Sequence, residues 1–163
     1  MKLYHTTNIR PEIILKEGLI GRKSIGFSTA SDWVFKFGWL PDNVIFLSSD
    51  PDMYAEEGMY TYAVNVSGLG LLPDYPSLVD KGAMIEEAGY LWWQNLEDVP
   101  KTLKSKHDED YGIDKDMLTG EDTLAVTGTA VVEGPISPDR VELFRSTRQA
   151  TIARIASTYL RSR

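Results

Sequence analysis

The sequence predicts a mixed α+β domain, and three features of its pattern point there. A short apolar strand-like opening runs straight into helix-starting residues and a glycine stop. Residues 44–47 and 60–66 carry strand signals, one a continuous apolar run and the other a period-two alternation. The C-terminal stretch places apolar side chains at helical spacing. The chain has 163 residues, enough for one ordinary domain with a hydrophobic core and hardly enough for two.

In order, residues 2–6 (Lys-Leu-Tyr-His-Thr) read as a strand, and Thr7-Asn8 supply capping chemistry. Pro11 fits the first turn of a helix whose apolar face includes Ile13 and Ile14, and Gly18 is its stop. Leu19-Ile20 restart an apolar run. In residues 31–39 the aromatics Trp33, Phe35, Phe37 and Trp39 alternate, which suggests an extended segment, with a short helix capped by Ser31-Asp32 in competition. A strand over 44–47 is followed by a short helix opened by Asp50-Pro51 and closed by Gly58, then by the strand 60–66. Residues 68–73 end that strand. Helical pieces are expected over 77–103, anchored by Leu91-Trp92-Trp93, and a mobile acidic surface loop over 105–122. Residues 124–132 read as β-rich, and Val141 to Phe144 as a final strand. A basic amphipathic helix closes the chain, so the body is expected over 1–144 and the helix over 145–163.

Composition bounds the function. The chain is 42% hydrophobic and 25% charged, as a globular protein is. It has no cysteine, which excludes disulfides and thiolate metal sites and suits a reducing compartment. No apolar stretch approaches the roughly 18 residues of a membrane span, and the N-terminus has no basic-then-apolar leader, so the expectation is a cytoplasmic protein without membrane contact. The net charge of −7 is unevenly placed: five of the 17 basic residues are arginines in 145–163, which holds no acid, and the other 12 face all 24 acids. Such a body does not hold a phosphate backbone unaided, so the tail is the one candidate for such contact, and the acidic body is also the natural docking face for that tail.

The acidic loop does not have calcium spacing. Counted from Asp108, the sixth and twelfth positions hold Ile113 and Thr119, where a calcium loop needs glycine and glutamate. His107 is far in sequence from His5, so a two-histidine metal site has little support. No phosphate-cradling glycine loop and no Gly-x-Ser-x-Gly elbow occurs. His5 is the residue that stands out. A histidine closing a strand ahead of two threonines and a helix can orient a ligand through one ring nitrogen, while the backbone of Thr6 offers donor and acceptor together.

Three segments carry a resemblance. Leu3-Tyr4-His5-Thr6-Thr7 with Ile14-Leu15-Lys16-Glu17-Gly18-Leu19 resembles the opening of the ADP-ribosyltransferase-like superfamily, that of diphtheria toxin and the poly-ADP-ribose polymerases. Val44-Ile45-Phe46-Leu47-Ser48-Ser49-Asp50-Pro51, with Tyr54-Ala55 after it, looks like that superfamily's second strand and helix. The run from Gly134 to Val141 is similar to the exit segment of many bacterial and phage members. The segments fall in the family's order, with a gap over 77–122.

The resemblance implies a split antiparallel β-sheet core with flanking helices, NAD as the bound dinucleotide, and transfer of ADP-ribose to a macromolecular acceptor, protein or nucleic acid. It implies that His5 hydrogen-bonds the adenosine-side ribose and that the Thr6 backbone holds the nicotinamide amide, with Thr7 and Ser48 beside them. A tyrosine stacks on the nicotinamide: Tyr54 first, with Tyr60 and Tyr62 behind it. A carboxylate is wanted opposite the oxocarbenium-like state. The family's glutamate position corresponds to Thr129, a departure that leaves Glu133, Glu121 and Asp122 as candidates. Two alternatives stand beside this reading. One is a catalytically silent nucleotide- or partner-binding (inhibitor) module of the same fold. The other is an RNA 2′-phosphotransferase-like enzyme, which needs arginines that only Arg10 and Arg22 supply nearby in sequence.

Overall fold

Strands that alternate in sequence do form the antiparallel framework. A computed structural model describes residues 1–21, 32–54 and 59–146. It is a mixed α+β structure with mainly antiparallel pairing. The contacts group into two compact units: Met1–Leu19, Ser48–Gly68 and Ile136–Arg163 make the first, Ile20–Leu47 and Leu69–Pro135 the second. Among the described residues no helix is long and apolar enough to cross a membrane.

The first unit is built on β1 (Lys2–Thr7), β3 (Tyr60–Asn65) and β8 (Val141–Ser146), in the order β1-β3-β8. β1 and β3 pair over their full length, from Lys2↔Asn65 to Thr7↔Tyr60. β3 pairs with β8 through Val64↔Val141 and Tyr62↔Leu143, with an irregularity between Thr61 and Tyr62. Directly opposed residues share a face, so Leu3, Val64 and Val141 bury together on one side of the ribbon. On the other face Tyr4 meets Phe144 edge-on at 5.0 Å, and Lys2 pairs with Glu142.

α1 (Pro11–Glu17) starts on proline, with Glu12 in its first turn and Lys16 in its last, matching the helix dipole. Its N-cap is Arg10, without a side-chain bond, so the cap expected from Thr7-Asn8 is not formed. Thr7 Oγ1 instead accepts from the amide of Ile9, closing a local turn. Ile14 is buried but Ile13 is exposed, because so short a helix turns only a narrow stripe inward. Gly18 takes φ +82°, and Leu19 then exchanges two backbone hydrogen bonds with Ile136. After Ser48, residues Pro51 to Tyr54 form turns where a helix was expected; residues 55–58 lie outside the described part. Arg145, expected in the closing helix, is in β8 and pairs with Asp52. The rest of the expected tail helix lies outside the described residues.

The second unit holds the strands β4 (Leu71–Leu72), β7 (Thr129–Glu133) and β2 (Val44–Ser48, its last residue in the first unit), in that order. It also has helices α2 (Trp33–Lys36), α3 (Tyr75–Asp80) and α4 (Gly120–Thr127). A hairpin of β5 (Met84–Glu87) and β6 (Tyr90–Trp93) completes it. Its core gathers Val34, Tyr75, Leu78, Met84, Leu91 and Val131. The aromatic run is helical, not extended: α2 buries Trp33 and Phe35 together and leaves Phe37 exposed.

Three further expectations fail in this unit. Leu91-Trp92-Trp93 is a strand, because Ala88 and Gly89 both take positive φ and fold a tight two-residue hairpin turn. Residues 124–132 split into the end of α4 and β7. The capping box of Thr119 and Asp122 nucleates the helix, and left-handed Gly128 stops it. The acidic stretch 105–122 is packed at several points, with Ile113 and Leu118 buried and Gly120 already helical.

Gly18 offers a direct test of the first unit. A Cβ there would overlap the carbonyl oxygen of Ile136, on a backbone that L-residues rarely adopt. Gly18→Ala is expected to lower stability by roughly 1–3 kcal/mol in urea unfolding. An unchanged midpoint would mean that the Leu19–Ile136 junction is not held as described.

Candidate functional site

The N-terminal candidates come from one strand and its neighbours. His5, Thr6 and Thr7 occupy consecutive positions of β1, all half-buried, and they stand opposite Tyr62, Thr61 and Tyr60 of β3. Alternation puts His5 and Thr7 on one face with Tyr60 and Tyr62, and Thr6 on the other face with Thr61. The Thr6 hydroxyl lies 3.1 Å from that of Thr61, which is fully buried. Thr6 is thus fixed by its side chain. On the other side of β1, Tyr4 is in register with Ser48.

Ser48 acts as a turn former. Its hydroxyl donates to the carbonyl of Asp50 and accepts from the Asp50 amide, each at 3.0 Å. This fixes the chain where β2 ends. The three tyrosines differ sharply. Tyr62 is fully buried and its hydroxyl donates to the carbonyl of Ile9 at 2.8 Å. Burial, with Tyr60 and Glu12 adding, pushes that phenol up to about 12, so it stays a donor. Its ring is not open to a ligand. Tyr60 is half-buried opposite Thr7, and Tyr54 is 49% exposed in the turns after Ser48.

The candidate carboxylates belong to the second unit, not to that of His5. Glu133 is exposed at the end of β7, while Thr129 is buried at its start. They share strand parity, but β7 is covered on both faces from Thr129 to Val132, so position along the strand decides exposure. Glu121 and Asp122 were expected at a loop end and instead form the first turn of α4. Asp122 is already engaged: Oδ2 accepts from the Thr119 amide at 2.9 Å and from Lys106 Nζ at 2.7 Å. Burial pushes its carboxyl up, but these hydrogen bonds and the Lys106 charge win and hold it below the ordinary value. Glu121 is exposed. In the acidic loop, Asp108 Oδ1 accepts from the amides of Asp110 and Gly112, so that carboxylate organises its own loop.

Sequence reasoning missed a buried polar cluster around Asp74. Its carboxylate caps α3, accepting from the Ser77 amide at 3.1 Å and the Ser77 hydroxyl at 2.7 Å. Its own amide donates to the Thr123 hydroxyl, which donates in turn to the Thr129 carbonyl. The Thr129 and Thr127 hydroxyls lie 2.6 Å apart, and Thr129 also hydrogen-bonds the Asp74 carboxyl. Asp74 followed by Pro76 and Ser77 was the available signal, a capping pattern just ahead of an apolar stretch. Thr129 is thus spent on the interior of its unit.

Comparison with protein-family models, curated proteins and solved structures finds no match to this chain.

Burial raises the Asp74 carboxyl above its ordinary value, against the lowering effect of its hydrogen bonds. The folded chain then holds this proton more tightly than the unfolded chain does. Asp74 therefore contributes most below the ordinary carboxylate pKa, and its contribution falls as pH rises from there towards the raised value. Urea unfolding of the wild type and Asp74→Asn across that range checks this. The stability difference should shift against the wild type as pH rises, and a pH-independent difference refutes it.

Proposed function

We propose that the chain is an ADP-ribosyltransferase-like protein that takes NAD as substrate and transfers ADP-ribose to a macromolecular acceptor. The observation that carries this reading is that its NAD-side residues, distant in sequence, share one compact unit. His5, Thr6 and Thr7 lie on β1, Tyr60 faces Thr7 across the β1–β3 register, and Ser48 and Tyr54 flank the end of β2. The reading gives His5 the ribose hydroxyls and the Thr6 backbone the nicotinamide amide. That division suits the chemistry, because the Thr6 side chain is held by Thr61 while its backbone lies in a half-buried strand. Tyr54 and Tyr60 are the stacking candidates that retain exposed ring surface.

In the proposed reaction the nicotinamide–ribose bond breaks and nicotinamide leaves with the bonding electrons. A nucleophile on the acceptor bonds to the ribose carbon and gives up its proton. A carboxylate stabilises the cationic state between these events. Glu133 and Glu121 are exposed and stay the candidates the resemblance gives for that role, whereas Asp122 would first have to leave its cap and Lys106. One observation favours a second reading, a catalytically silent nucleotide- or partner-binding module. The residue at the family's glutamate position, Thr129, is uncharged and buried.

Release of nicotinamide from NAD in the presence of candidate acceptors separates the two readings. If binding occurs as proposed, His5→Ala weakens NAD by roughly 1–3 kcal/mol in calorimetry, the scale of a lost buried hydrogen bond. Unchanged affinity in a folded variant rejects this site.

Where turnover is seen, Glu133→Gln, Glu121→Gln and Asp122→Asn are compared per folded molecule. The catalytic carboxylate is the one whose loss lowers the rate by ~10²–10³ while NAD still binds. Asp122→Asn also weakens the α4 cap by about 1 kcal/mol, so its stability must be measured alongside its rate. Wild-type turnover in all three excludes them, and binding without any turnover in the wild type selects the silent module.

A further inference from the structure

The β5–β6 hairpin has one face that its fold does not need. Its register is Met84↔Trp93, Ile85↔Trp92, Glu86↔Leu91 and Glu87↔Tyr90. Opposed pairs share a face, so Met84, Leu91 and Trp93 point into the core and all three are buried. The other face carries Ile85, Glu87, Tyr90 and Trp92. A strand covered on one side ordinarily shows polar residues on the other. Here Tyr90 is 68% exposed and Ile85 44%, with Trp92 half-exposed between them. The Tyr90 and Trp92 rings lie 6.1 Å apart at 32°, a tilted aromatic platform.

The turn at Tyr111 and Gly112 runs beside β6. Trp92 bridges to Gly112, and the Trp93 amide donates to the Tyr111 carbonyl at 2.9 Å. By that register Tyr111, at φ +64°, stands opposite Trp93 and not on the side of Tyr90 and Trp92, and its ring lies 5.0 Å from that of His107. The two hydrogen bonds from Asp108 hold this turn in place.

Charge decides which partner this platform suits. The exposed Glu87 stands directly opposite Tyr90 and shares its face. Phosphate-bearing strands are repelled by such a carboxylate. Guanidinium and ammonium groups are attracted both to the carboxylate and to the ring faces.

We propose that the outer face of the β5–β6 hairpin, formed by Ile85, Tyr90 and Trp92 with Glu87 opposite Tyr90, is a docking surface for an arginine- or lysine-rich segment of a partner protein. Tyr90 and Trp92 supply the apolar and cation–π contact, and Glu87 the ion pair. This surface lies wholly in the second unit and stands or falls independently of NAD binding.

The test uses the full chain and a fluorescently labelled arginine-rich peptide, with an uncharged peptide of equal length as control. Anisotropy is expected to show binding of the arginine-rich peptide alone. Tyr90→Ser, which leaves the net charge unchanged, and Glu87→Gln are each expected to weaken it by about ten-fold, as for a lost anchor at an interface centre. Circular dichroism verifies that both variants fold, and the exposure of Tyr90 makes that outcome expected. Equal binding by wild type and Tyr90→Ser overturns the proposal, since only diffuse attraction to an acidic protein would remain. Absence of peptide binding overturns it too, as does preferential binding of single-stranded DNA. Self-association of the free chain that is lost in Tyr90→Ser also overturns it, by making a second copy the occupant.

Discussion

The pairing of β1 with β3 is what the arrangement of the first unit rests on. Six consecutive residues of the N-terminus find partners there, and each pairing fixes a face as well as a neighbour. A slip of one residue would move His5 from the face of Tyr60 and Tyr62 to that of Thr61. Two contacts resist that slip from opposite faces. On one, the Tyr62 hydroxyl is tied to the Ile9 carbonyl beyond the end of β1; on the other, the Thr6 and Thr61 hydroxyls meet. Both are directional and partly buried, so a shifted register would take these partners from the buried Tyr62 and Thr61 hydroxyls.

The same pairing explains why similar residues end in different roles. Tyr60 and Tyr62 are two positions apart on one strand and face the same way. Tyr62 lies between β1 and β8 and is covered, whereas Tyr60 sits at the end of β3, where cover is thinner. Ser48 and Thr6, which the resemblance offers as ligand contacts (Thr6 through its backbone), spend their hydroxyls on the protein itself. The polar groups left to a ligand are therefore fewer than the motif suggests, and backbone groups carry more of the proposed recognition.

How far the sequence was legible follows from what makes a pattern visible. β1, β3 and β8 could be read because their apolar and polar positions differ in chemistry along the strand. The β5–β6 hairpin could not, since Tyr90, Leu91, Trp92 and Trp93 are all apolar or aromatic although they alternate in exposure. The alternation exists in space but not in composition. α4 was misread for a different reason: Thr123, Val126 and Thr127 favour strands locally, and the capping box with Gly128 overrides them. For the site, the position of His5 was legible because it depends on one strand. The surroundings of Glu133, Glu121 and Asp122 were not, because they depend on how β7 and α4 are covered, which no local spacing encodes. The Asp74 cluster escaped because its members come from α3, α4 and β7 and no single segment displays it.

The distribution of the tryptophans has an optical consequence. All four of the chain's indoles, Trp33, Trp39, Trp92 and Trp93, lie in the second unit. Trp39 and Trp93 are further anchored, their ring nitrogens donating to the carbonyls of Gly89 and Lys106. Intrinsic emission excited at the red edge therefore reports on that unit alone, while the unit holding His5 contributes only tyrosine. Far-ultraviolet dichroism records the backbone of both. Denaturation followed through the two signals in parallel resolves whether the units come apart in one cooperative step or in sequence, with no label attached to the chain.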